Sequence, residues 1–141
     1  MLQYNKMTEP KIILDVASIL DSSVGSSQSF SVGNKLRNFI PDVRFASSIV
    51  GTAVLTLTEE NYLAAVFNCR IIIEISCARC LKKFEMPLML NYEQDYTAKR
   101  QDDSFPILVN KTIDIYPSIR QEILLSLPIK PLCNKKCEGI K

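Results

Sequence analysis

Residues 45–76 constrain the fold more than any other stretch of this chain. The run "FASSIVGTAVLTL" is followed by the polar "TEEN" and then by "YLAAVFNCRIIIEIS". Both runs are crowded with the β-branched and aromatic side chains that pack well on a pleated surface. In the first run Val50, Thr52, Val54 and Thr56 fall on one side, and Gly51, Ala53, Leu55 and Leu57 on the other. That period of two is the signature of a strand with one buried face. Two such runs joined by a short polar turn predict an antiparallel hairpin of Phe45 to Leu57 with Tyr62 to Ser76. A third strand is expected from Phe84 to Asp95, where Pro87 marks a sheet edge or a bulge because it cannot donate to a ladder.

The rest of the chain reads as shorter pieces. "KIILDVASIL" suits a strand running into a helical turn, and Ser29 to Val32 a short strand inside a Ser/Gly connection. "NKLRNFIPDV" reads as a polar loop and "TAKRQDDSFP" as a charged, mobile one, while "ILVNKTIDI" offers short pairing. "IDIYPSIRQEILLSLP" predicts a helix. Asp114 is its candidate N-cap, and Pro117 is tolerated in the first turn, where its missing N–H has no helical partner. Ile115, Ile119, Ile123 and Leu127 recur every four residues, Leu124 widens their stripe, and Pro128 ends the helix. The expectation is an α+β fold: a mainly antiparallel sheet, barrel-like or strongly twisted, with a C-terminal helix and a cysteine knuckle. A length of 141 residues, 47% of them apolar, fits one domain with a real core. Residues 1–10 are expected to be a flexible arm and 129–141 a cysteine-bearing tail.

Composition removes several function classes. Histidine is absent, so there is no Cys-His or Ser-His nucleophile and no histidine metal ligand. "MLQYNKMTEP" lacks the apolar segment of a secretory signal. No run approaches the roughly 18 apolar residues of a membrane span. A soluble intracellular protein without a membrane or small-molecule partner is expected.

Cys77-Ala-Arg-Cys80 stands where a strand ends, and Cys133-Asn-Lys-Lys-Cys137 just past the helix. Close pairs at this spacing each supply two adjacent corners of a tetrahedral metal site, so Cys77, Cys80, Cys133 and Cys137 are candidate ligands of a structural Zn²⁺ or another divalent ion. Fifty-two residues separate Cys80 from Cys133. Loop-closure entropy grows only logarithmically with length, so such a clip across the domain is tolerable. Two other readings stay open: a thioredoxin-like redox pair, which requires a helix to begin at the motif, and reduced thiols that bind nothing. Cys69, inside the second strand, reads as a small buried hydrophobe.

Charge gathers around the same pairs. Segments 70–83 and 130–141 hold Arg70, Arg79, Lys82, Lys83, Lys130, Lys135, Lys136 and Lys141 against Glu74 and Glu138, a local +6 in a chain of +2. If the cysteines meet, these side chains form a basic patch suited to phosphate. Four thiolates around Zn²⁺ would carry −2 and partly offset it. Phe84 is the one aromatic near this cluster in sequence, which disfavours base-stacking readout of single strands.

These motifs resemble a known family. "CARCLKKF" and "EILLSLPIKPLCNKKCEGI" are similar to the corresponding stretches of the YceD family, the bacterial and plastid large-ribosomal-RNA-subunit accumulation proteins. The resemblance runs from "KIILDVASIL" to the end. It implies a non-enzymatic role in accumulation or processing of 23S ribosomal RNA, with that RNA or a ribosomal protein as partner, in the bacterial cytoplasm or the plastid stroma. The matching positions are Cys77, Arg79, Cys80, Leu81 and Phe84 in the knuckle, and Leu127, Pro128, Pro131, Cys133, Cys137 and Gly139 in the tail. Related chains commonly carry further cysteines, as in Cys-Pro-x-Cys-Gly, beyond the Gly-hydrophobic pair; here Gly139-Ile140 is followed by Lys141 alone. A protein-interaction module that pairs an exposed strand edge with a partner's extended arm is the competing expectation. An enzyme would have to rely on Asp102-Asp103 or a lone cysteine, and those aspartates read as a solvated turn.

Overall fold

The computed structural model describes residues 11–98 and 104–133. The expected arm (1–10) and most of the tail (134–141) lie outside them, as do Asp102 and Asp103. Among the described residues the order is β1 (Ile13–Asp15), α1 (Ala17–Leu20), β2 (Ser27–Asn34), β3 (Arg44–Phe45), β4 (Ile49–Glu59), β5 (Tyr62–Ser76), β6 (Lys83–Thr97), β7 (Ser104–Pro106), β8 (Thr112–Asp114) and α2 (Tyr116–Ser126). The larger sheet runs β2-β4-β5-β6-β7, and β3 pairs with β5 beyond the end of β4. Its pairings are antiparallel except β6–β7, which is parallel. β1 and β8 form a separate antiparallel ribbon.

The central hairpin follows directly from the alternation. Ala53, Leu55 and Leu57 of β4 are buried, and so are Leu63, Ala65, Phe67, Cys69, Ile71, Ile73 and Ile75 of β5. Each such Leu, Ile or Phe contributes roughly 1.5–3 kcal/mol by leaving water. The turn between the strands bulges, with a register shift between Leu57 and Glu59, and Asn61 takes φ +58°. Asparagine tolerates that left-handed geometry better than most residues. Phe45 and Ile49 fall on different strands, because the chain steps away at Ala46–Ser48. There Ala46 N–H donates to the Ile72 carbonyl (2.7 Å), and Ile72 N–H donates to Ser47 Oγ (2.9 Å).

Those two bonds also explain Pro87. Ile72 lies opposite Pro87 in the β5–β6 ladder, but its backbone groups point the other way. Pro87 therefore occupies a non-hydrogen-bonded position, and its nitrogen faces the open side of β6. Among the described residues that side is unpaired until Asp95, where the pairing with β7 begins.

The sheet is open, which corrects the barrel-like or strongly twisted expectation. Closure requires the two edge strands to pair with each other. Here β2 and β7 are separate edges, the sheet is not strongly curled, and β7 has three residues. The place of a far barrel wall is taken by α1, α2 and the β1–β8 ribbon. Ile12, Leu14, Val16, Ile19, Ile113, Ile115, Ile119 and Ile123 pack there with the sheet's buried face in one cluster. The end of the supposed loop "TAKRQDDSFP" is the strand β7.

Helix α2 sits on β6 through a buried hydroxyl node. Tyr92 Oη and Tyr96 Oη each lie 3.1 Å from Ser118 Oγ, which donates to the Ile115 carbonyl at 3.0 Å. The cap position is Ile115 rather than Asp114. Asp114 instead accepts from Tyr116 N–H (3.0 Å) and Ile12 N–H (3.1 Å), tying the helix start to the segment entering β1. Leu124 is 46% exposed, so the buried stripe is narrower than expected. The helix ends at Ser126, and Leu127 is extended (ψ 136°), as a residue before proline prefers.

Candidate metal centre

The connection from β5 to β6 is the knuckle. Cys77 N–H donates to the Lys82 carbonyl at 2.8 Å, continuing the ladder one step past Ser76–Lys83. Leu81 N–H donates to the Cys77 carbonyl at 3.0 Å, and Leu81 takes φ +63° to close this turn. A leucine in the left-handed region carries strain that its neighbours must hold in place. Cys77 continues the inward-facing alternation of β5 and is fully buried, while Cys80 is half-buried.

The segment after α2 is strapped across this turn. Pro128 and Pro131 keep it out of helix, and the Pro131 carbonyl accepts the Ala78 N–H at 2.7 Å. That bond brings Cys133 to the knuckle. The Sγ atoms of Cys77, Cys80 and Cys133 lie within 4.8 Å of one another, and those of Cys80 and Cys133 are 3.8 Å apart. Zn–S bonds of about 2.3 Å in a tetrahedron place two bound sulfurs roughly 3.8 Å apart. The three thiols thus form a cluster capable of holding a metal ion, and its all-sulfur character suits zinc rather than magnesium or calcium. It is the one such group among the described residues. The motif leads into strand β6 rather than opening a helix, which removes the geometric basis of the thioredoxin-like reading. Cys137 lies outside the described residues.

The cations are distributed less tightly than the sequence tally implies. Arg79, Lys82 and Lys83 are exposed on the knuckle or at the start of β6, and Lys130 is exposed on the strap. Arg70 is exposed on the outer sheet face opposite Met89, six residues from Ser76, or about 20 Å along the strand. The fold does not bring it to the knuckle. Lys135 and Lys136 lie outside the described residues. Glu74 is committed to Arg44 of β3: Nε donates to Oε1 at 3.3 Å and a terminal N–H to Oε2 at 3.1 Å. This pair holds the Glu74 carboxyl below its usual range, with Lys83 adding to the effect. Arg44 falls between the expected loop and the expected first strand, and no local pattern announces a partner thirty residues on.

Residues 66–141 match the family described as large ribosomal RNA subunit accumulation protein YceD, just over half of the chain. The chain belongs to the YceD family. No curated protein and no solved structure matches it. The matched span includes β5 from Val66 onward, the knuckle, β6, α2 and the strap, so the YceD region contains every part that assembles the thiol cluster. Membership places the chain among ribosome-biogenesis accessory proteins rather than enzymes. No helix among the described residues is long and apolar enough to cross a membrane.

Proposed function

We propose that this protein supports accumulation of the large ribosomal subunit's RNA by binding that RNA through the cysteine knuckle, in the bacterial cytoplasm or the plastid stroma. In this reading a structural Zn²⁺ is held by Cys77, Cys80, Cys133 and Cys137, with the fourth thiolate coming from four residues past Cys133. The metal fixes the shape of the turn, and Arg79, Lys82, Lys83, Lys130, Lys135 and Lys136 contact phosphate. Arg70, farther along β5, extends the footprint on the outer sheet face. The observation that carries this reading is the convergence of three thiols on a turn that exposes Arg79 and Lys82, with Lys83 exposed at the start of β6.

Two measurements test it. Elemental analysis of protein purified reduced and without chelator is expected to find about one zinc per chain; none removes the metal. Filter binding to ribosomal RNA at rising salt is expected to weaken log-linearly. Absent or salt-independent binding by metal-replete protein removes the RNA contact.

A second reading is supported by the open edge of β6. From Lys83 to Gln94 this strand has no neighbour on its outer side among the described residues, and Met89 beside it is 56% exposed. Such an edge accepts an extended peptide as an added strand. Capture of a ribosomal protein that survives nuclease treatment favours this reading over direct RNA binding.

A further inference from the structure

The loop between β2 and β3 carries chemistry that the knuckle does not use. Lys35, Leu36, Arg37 and Asn38 face Arg44 and Phe45 across a groove of about 600 Å³. That volume falls in the usual range of ligand sites. Among the described residues its lining holds three cations and no carboxylate. Asp42, the acid of the same loop, lines a separate cleft against Leu127 and Pro131.

The groove is held in shape from several sides. Asn38 Oδ1 accepts the Phe45 N–H at 2.8 Å, tying one wall to the other. Leu36 is buried, and the Phe39 ring packs 5.4 Å from Phe45 and 6.5 Å from Tyr116. The Arg120 guanidinium lies 4.8 Å above Phe39 and adds a cation beside the loop. Arg44 is oriented by Glu74, a pairing that engages two of its five N–H donors.

Its position relative to the knuckle argues for a polymer as ligand. Glu74 bonds Arg44 on one side and lies directly opposite Glu85 on β6, two residues from Lys83. Two basic surfaces are thus divided by a pair of carboxylates. A single small anion would use one surface, whereas a chain of phosphates can engage both and pass over the acids between them.

We propose that this groove binds backbone phosphates of RNA, as an anchoring surface distinct from the knuckle. The proposal rests on the RNA reading above, and the experiment separates the two. The isotope-labelled full chain is titrated with an oligouridylate while amide shifts are followed. Filter binding across a salt series then compares wild type, Lys35→Ala/Arg37→Ala and Lys82→Ala/Lys83→Ala. In wild type the amides of 35–38 and Phe45 are expected to move. The groove variant is expected to lower the salt slope by about 1.4, at about 0.7 per lost phosphate contact. A wild-type slope in the groove variant, with unmoved amides at 35–38, overturns the groove and leaves the knuckle reading intact if the knuckle variant loses affinity. Loss confined to the groove variant supports the groove and removes the knuckle. No binding by wild type overturns both. The four substituted side chains are exposed. Should the groove variant melt early, Lys35→Gln/Arg37→Gln and the wild-type shifts decide the question.

Discussion

The middle of the sheet and the knuckle at its end are made by the same two strands, β5 and β6, yet different forces hold them. In the middle, Phe67 stacks on Tyr92 with ring centroids 4.6 Å apart, among Leu55, Ile71 and Leu90, all fully buried. At the end, the side-chain alternation runs out at Cys77. What remains is three backbone hydrogen bonds, a left-handed leucine and a cluster of thiols. The first region follows from apolar area and keeps its shape without ligands. The second brings together groups 53 residues apart in sequence, and a metal would add enthalpy where packing is thin.

The largest test of this contrast is Phe67→Ala. Removing a buried ring from the ladder's centre is expected to cost about 3–5 kcal/mol, read from urea unfolding. A loss under about 1 kcal/mol would mean that the sheet's centre is not where stability resides. Ser118→Ala comes next. It leaves the buried Tyr96 hydroxyl and the half-buried Tyr92 hydroxyl without their shared partner and should cost about 1–3 kcal/mol. Faster hydrogen exchange in α2 than in β5 would place the damage at the helix–sheet seam.

Cys80→Ser addresses the other region. Metal content should fall, and exchange at the Ala78 amide, which bonds to the Pro131 carbonyl, should accelerate. The urea midpoint should move much less than in Phe67→Ala. A global collapse instead would make the knuckle part of the cooperative core.

Alkaline pH probes the middle of the sheet by titration. Burial pushes the Cys69 thiol up from 9.0 to about 11, and it pushes the Tyr92 and Tyr96 phenols up as well. A raised folded value means that these groups support the fold fully below their unfolded values. That support is lost as pH rises through the folded ones. Stability should therefore be level to about pH 9 and fall between 9 and 11, with a shallower fall in Cys69→Ala. The smallest effect belongs to Arg44→Ala. The Arg44–Glu74 pair is solvent-screened, so the melting temperature should drop slightly at low salt and not at all at high salt.

Much of this architecture is legible in the chain itself. The boundaries of β5 are those its β-branched run dictates, and the stop before Pro128 needs no tertiary knowledge. The two cysteine spacings sufficed to nominate a thiol cluster, because a tetrahedral site asks for little more than close pairs. Other features were invisible for equally physical reasons. β7 is three residues long, and its parallel pairing with β6 has no sequence signature. Leu124 fits the helical stripe by spacing but lies beyond the area the sheet covers. Lys35 and Arg37 look like ordinary loop cations until Asn38, accepting from the Phe45 N–H, ties their loop beside Arg44.

Local side-chain patterning by itself determined the hairpin, the helix and the candidate ligands, since each depends on periodicities of two to four residues. Tertiary structure decided that the sheet stays open, that Arg70 stands about 20 Å from the knuckle, and that Cys133 reaches Cys80. Those outcomes depend on which edges find partners and where a proline-stiffened strap lands. Both are set by contacts between residues far apart in the chain, and no short-range pattern encodes them.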